Sequence, residues 1–212
     1  MLPRQLILAF DTSAAHCAVA LFLDGKCLEE RAEPMIKGQA ERLFPMCEEV
    51  LENASIKWPN LDALAVCVGP GNFTGVRVAV SAARGLALSL KKPAIGISKL
   101  EAMGLGSQGK STVVMDARRN RVYMQNFQDG KATDTPVLVE LENVKKSITA
   151  IMTADDINWE LFLNSYTPKI TLPSAIATLA INKMGKHNPR PAPLYLQEPN
   201  ADLPKEQPVV IL

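Results

Sequence analysis

Three groups of residues in this 212-residue chain have the types and spacing of chemistry. Gly104-Leu105-Gly106-Ser107-Gln108-Gly109-Lys110-Ser111 matches G-x-x-x-x-G-K-[ST], in which backbone amides cradle phosphates and the lysine reaches the terminal ones. Gly69-Pro70-Gly71-Asn72-Phe73-Thr74-Gly75 sets three glycines before a helical run, where free amides at a helix start can hold an anion. Asp11 and Asp116 each close an apolar run, as a magnesium-facing carboxylate or as a strand-end hydrogen-bond acceptor.

The elements around these residues separate the readings. Phosphate loops need a strand before the glycines and a helix after them, so that the helix start meets the phosphate. Around Gly104 to Ser111 the order is reversed: a helix opened by Ser98-Lys99-Leu100-Glu101, with capping-box spacing, leads in, and a strand at 112–115 leads out. A linker between lobes explains these glycines better. Gly69 to Gly75 has the required context, between a strand at 61–68 and a helix at 76–90, with Thr74 placed to cap the helix.

The two aspartates belong to repeated units. Leu6 to Phe10 is a strand ending at Asp11, residues 12–16 turn, 17–23 resume as a strand, and Asp24-Gly25 is a hairpin signal leading into a strand at 26–31. Residues 111–115, Asp116, the turn at 117–120, the strand at 121–127 and Asp129-Gly130-Lys131 repeat that order, and Asp11 to Asp24 spans the same thirteen-residue interval as Asp116 to Asp129. Such a match points to an internal duplication; two unrelated hairpins are the plainer alternative. The lobe boundary falls between 104 and 110, giving a first lobe of residues 1–104 and a second of 105–212 with a proline-rich, extended tail from Asn188.

Composition narrows the class. The chain is 47% hydrophobic and 5% aromatic, which suits a globular core of aliphatic side chains, and its formal charge of +1 argues against a protein that grips nucleic acid alone. No run approaches the ~20 apolar residues of a membrane span, so no membrane and a cytoplasmic location are expected. Cys17, Cys27, Cys47 and Cys67 form no C-x-x-C pair and read as reduced thiols; His16 and His187 are too few for a histidine-rich metal site, and His16 reads as a solvent-facing turn residue.

The string Gly69-Pro70-Gly71-Asn72-Phe73-Thr74-Gly75-Val76-Arg77-Val78 closely resembles the G-P-G-S-F-T-G-[LV]-R-[IV] signature of the TsaB (YeaZ) family of tRNA threonylcarbamoyladenosine biosynthesis proteins, with Asn72 where serine is usual. Asp11-Thr12-Ser13, Glu41-Arg42-Leu43-Phe44-Pro45-Met46, Leu61-Asp62-Ala63, Asp116-Ala117-Arg118 and Pro193-Leu194-Tyr195-Leu196 follow in the family's order, while Gln197 replaces an expected arginine. The resemblance implies an α/β, actin-like ATPase fold (ASKHA, ribonuclease H-like) with two duplicated lobes. It also implies a partnership with a TsaD-type catalytic subunit, a TsaE-type ATPase, and tRNA reached indirectly through the complex; alone, the chain could form a homodimer. The catalytic relative carries a metal-binding H-x-x-x-H in its first helix, whereas Gln39-Ala40-Glu41-Arg42-Leu43 here has no imidazole, so no metal and no catalytic residue are expected of this chain.

A partner surface is expected on two helices of the first lobe. One has Leu43, Met46 and Val50 at helical spacing, with Pro45 expected to kink or restart it; the other, 76–90, is small-sided and meets the sheet through Val76, Val80 and Ala83. Arg42, Leu43, Met46, Val50, Arg77, Ala82 and Arg84 are the candidate partner-binding residues; satisfaction of both helices within the lobe is the alternative. Asp11, Thr12, Ser13 and Asp116 are candidates for a vestigial nucleotide cleft, with no cofactor of its own beyond weak ATP or ADP binding. The competing function is a stand-alone ATPase or small-molecule kinase of the same superfold, weakened because Asp11-Thr12-Ser13-Ala14-Ala15 has no glycine for phosphate to approach.

Overall fold

The computed structural model describes residues 5–144, 151–153, 165–166, 168, 170–186 and 188–196. His187, Gln197 and the apolar stretch 209–212 therefore lie outside the described residues.

Two sheets with the same wiring organise the chain. The first has the order β3-β2-β1-β4-β5, from β1 (Leu6–Asp11), β2 (His16–Leu23), β3 (Lys26–Pro34), β4 (Ala63–Cys67) and β5 (Ala94–Ile97). In it β1, β2 and β3 are antiparallel, while β1, β4 and β5 are parallel. The second runs β11-β10-β6-β7-β8, with β6 (Lys110–Asp116), β7 (Arg121–Gln128), β8 (Lys131–Ala132), β9 (Val137–Glu140, also paired to β7), β10 (Ile151–Thr153) and β11 (Ser165–Tyr166). Again β6 and β7 are antiparallel and β6, β10 and β11 parallel. The turns match as well: Asp24-Gly25 and Asp129-Gly130 both take left-handed backbone, as a two-residue hairpin loop requires. The duplication read from the two aspartates is thus present strand by strand.

Both faces of the first sheet are covered, which is why β1 is a continuous apolar run rather than an alternating one. Leu6, Leu8 and Phe10 point to one core, with α1 (Gln39–Asn53) and α2 (Phe73–Leu90); Ile7 and Ala9 point to the other. Val76, Val80 and Ala83 of α2 are buried as anticipated, and α1 runs without a break through Pro45. By length and composition alone α2 could cross a bilayer, unlike what the sequence suggested; its Gly75, Val76, Ala79, Val80 and Ala83 are buried, the last four in the core beneath the first sheet, and the rest of the helix is not.

The second core departs from the expected lobe boundary. It is closed by α5 (Leu172–Lys183), whose Ala175, Ile176, Ala177 and Ala180 pack on Ile7, Ala9, Ala63 and Ala65 of the first sheet. That face of small residues lets a helix approach closely, and the first lobe's own long helices occupy the opposite face. Part of 105–212 therefore completes the first lobe. Between the sheets, α3 (Lys99–Gly104) starts at a Ser98 capping box and packs Leu100 and Met103 on Val113, Met115 and Phe127; α4 (Leu141–Val144) covers the far side of the second sheet.

Candidate functional site

Asp11, Thr12 and Ser13 are 0–1% exposed, in a turn filled by the chain itself. The Asn72 N–H donates to the Ser13 carbonyl at 2.6 Å, and the Thr12 hydroxyl donates to the Gly75 carbonyl at 2.6 Å. Glycine is required here by proximity: a Cβ on Gly71 would lie 2.4 Å from the Ser13 carbonyl oxygen, and one on Gly75 only 1.8 Å from that of Thr12. The cap differs from expectation: Asn72, not Thr74, caps α2, its Oδ1 accepting from the Gly75 N–H at 2.9 Å. Asparagine at the usual serine position performs the same task.

Burial would push the Asp11 carboxyl up, but four contacts outweigh it and hold it below the ordinary carboxylate range. They are the hydrogen bond to His16 Nε2 at 2.6 Å, the charges of His16 and Lys99, and the Ser13 N–H at 2.9 Å. His16 opens β2 and is paired with a buried carboxylate, correcting its reading as a solvent-facing turn residue: the tight turn folds its ring back over Asp11. Asp116 is different. It lies exposed at the end of β6, in the other sheet, where Oδ1 accepts from the Arg118 N–H at 2.8 Å. The first three candidate cleft residues thus form one closed structural knot with the signature loop, and Asp116 stands outside it.

The glycine-lysine string at 104–111 joins α3 to β6, the helix-to-strand order read from sequence. Gly104 is needed because a Cβ there would meet the Phe127 ring at 2.5 Å, a packing constraint unrelated to phosphate.

An apolar groove of about 510 Å³ runs between α1 and α2, lined by Ala40, Leu43 and Phe44 on one side and Val78, Ala82 and Leu86 on the other, with Gly85 in its wall. Phe44 is 44% exposed and Leu88, further along α2, 77%. Four of the expected partner residues are placed otherwise. Met46 and Val50 are fully buried in the sheet-facing core, and Leu43 reaches the groove only as its floor, at 1% exposure. The helix turns that stripe inward, and Phe44, at one step in the sequence from Leu43, faces out. Arg42 points away from the groove and is committed elsewhere: its guanidinium donates to Glu33 (2.7 and 2.7 Å) and Glu49 (2.8 and 2.7 Å), tying α1 to β3. That pairing holds the Glu33 carboxyl down at about 2 and raises the Arg42 pKa further. Ala82 lines the groove, and Arg77 and Arg84 lie exposed on α2.

Sequence reading missed the strap at 188–196. Its Leu194 N–H donates to the Val68 carbonyl at 2.7 Å, Pro191 sits against Gly96, and Tyr195 accepts from Arg77 Nε at 2.8 Å. Arg77 stacks 3.6 Å over the Phe73 ring, whose centroid is 5.8 Å from that of Tyr195. The Pro193-Leu194-Tyr195-Leu196 landmark was the signal for it; the contacts span about a hundred residues of sequence or more and leave no local trace.

Comparison with known proteins agrees with this geometry. Residues 33–187 match the family described as TsaD: tRNA N6-adenosine threonylcarbamoyltransferase. The tRNA threonylcarbamoyladenosine biosynthesis protein TsaB of Escherichia coli (strain K12) is 36% identical over 127 residues, 58% of this chain and 54% of that protein, so the match spans about half of its length. An uncharacterized protein of Mycobacterium tuberculosis (strain ATCC 25618 / H37Rv) is 32% identical over 198 residues, covering 92% of this chain and 93% of its own. YeaZ from Pseudomonas aeruginosa shares the fold, with a TM-score of 0.72 at 24% identity over 91% of this chain and 100% of that one. With two sheets wired alike, a signature loop locked into the first acidic turn and these relatives, the chain is an α/β protein of the actin-like ATPase type and belongs to the TsaB (YeaZ) family, within the wider TsaD family whose model it matches.

Proposed function

We propose that this chain is a non-catalytic scaffold subunit of the cytoplasmic machinery that installs threonylcarbamoyl on the adenosine beside the anticodon of tRNA. It docks a TsaD-type catalytic subunit on the α1/α2 face; a TsaE-type ATPase joins the assembly, and tRNA is engaged through the complex. The observation that carries the reading is the open groove between α1 and α2 with Phe44 and Leu88 in solvent, an apolar surface whose burial contributes about 25 cal/mol per Å² before association costs. The closed knot at Asp11 to Ser13 supports it further, since backbone fills the turn that a kinase of this fold leaves for phosphate. Any nucleotide binding is correspondingly weak.

Co-purification of the tagged chain with its TsaD-type partner tests the docking face. Ala82→Glu places an unpaired charge in the groove and should abolish capture while the mutant melts like the parent. Undiminished capture of the partner by Ala82→Glu moves the interface elsewhere.

A further inference from the structure

The groove has unlike edges. On α1, the exposed side beyond Phe44 carries Glu41 and Glu48; on α2, the exposed side beyond Ser81 and Gly85 carries Arg77 and Arg84. Each pair is seven residues apart, two helical turns, so the charges on each edge stand about 10 Å from one another along the helix. None of Glu41, Glu48 and Arg84 forms an ion pair with a described residue, and Arg77 meets only the neutral Tyr195 and the Phe73 ring. The chain as a whole is nearly neutral, at +1, so the segregation is local to this face. The carboxylate on the β3 side of α1 behaves differently: Glu49 is consumed by Arg42 and Arg31.

We propose that these strips select the partner's chemistry: the surface that covers the groove is apolar at its centre, with a basic edge set against Glu41 and Glu48 and an acidic edge set against Arg77 and Arg84. The proposal rests on the docking reading above and adds to it the orientation and charge of the occupant. Complementary strips at a rim act mainly on encounter and register, while the buried apolar centre supplies the hold. With the Debye length about 10 Å at 0.1 M salt and about 3 Å at 1 M, steering by such strips must fade as salt rises.

The test is the association rate with the TsaD-type partner, measured at low and high salt for the parent, Glu41→Lys/Glu48→Lys, Arg84→Glu and Ala82→Glu. Reversal of the acidic strip should slow association about ten-fold at low salt, Arg84→Glu should slow it less, and both differences should vanish at high salt with dissociation little changed. Unchanged or faster association in both strip variants, with Ala82→Glu still abolishing binding, overturns the charge assignment and leaves the docking face standing. Full binding by Ala82→Glu sinks the docking reading itself and the strip proposal with it. Strip reversals that alter self-association in sedimentation but not partner binding assign the edges to a second copy of this chain, and likewise overturn the proposal.

Discussion

Replacing Gly75 by alanine should unseat the signature loop. The added Cβ would sit 1.8 Å from the Thr12 carbonyl oxygen and 2.9 Å from its carbon, both backbone atoms on a buried strand end that cannot rotate away. Relief requires moving the first turn of α2 off the turn after β1, which also stretches the 2.6 Å bond from the Thr12 hydroxyl to the Gly75 carbonyl. Overpacking of this kind costs about 1–3 kcal/mol, and a backbone neighbour puts this site at the upper end. For a chain of this size about 3 kcal/mol corresponds to a fall of roughly 6–12 °C in Tm. Gly85→Ala is the matched control: its Cβ meets nothing within 4 Å, and alanine in mid-helix is favoured by about 0.5–1 kcal/mol, so Tm should rise by about 1–4 °C. Differential scanning calorimetry of both variants reads the two signs. A Gly75→Ala protein melting within about 2 °C of the parent, well short of the expected fall, refutes the close approach.

Three further outcomes follow from the same geometry. Asp11 has a depressed pKa in the folded state, so its contribution to stability is fully present above the ordinary carboxylate pKa and is lost as pH falls through the folded value; acid titration should show Asp11→Asn less stable than the parent near neutrality, with the gap closing toward low pH. Burial raises all four thiols, Cys17 to about 11 and Cys47 and Cys67 higher still, but Cys27 alone is exposed; a thiol reagent should label one site in the native protein and none in Cys27→Ser. Tyr195→Phe removes the hydroxyl that accepts from Arg77 but keeps the ring beside Phe73, so it should lower stability by about 0.5–1 kcal/mol in denaturant melts, and Tyr195→Ala should cost more.

Much of the architecture was legible because its signals are local. The apolar run of β1, the repeated Asp-to-Asp-Gly interval and the reversed context of Gly104 to Ser111 each depend on neighbours within about twenty residues, and the two sheets carry them out. The signature loop was legible as a string; that its glycines are shaped by Thr12 and Ser13 was not, since those partners lie some sixty residues away. Periodicity placed Leu43, Met46 and Val50 on one face of α1 but not which face meets the sheet, and the inward answer leaves Phe44 and Ala40 to solvent. The return of α5 to the first sheet rests on small residues at Ala9, Ala63 and Ala65, a complementarity visible only once strands are paired.

The central claim is that this chain acts through a partner, on its α1/α2 face. Its most direct test is threonylcarbamoyl transfer to tRNA by the purified TsaD-type subunit with the TsaE-type ATPase, measured without this chain, with it, and with Ala82→Glu. The expected result is transfer only with the parent chain, none from the chain alone, and loss with Ala82→Glu despite an unchanged melt. Transfer by this chain in isolation, or equal support from Ala82→Glu, contradicts the claim.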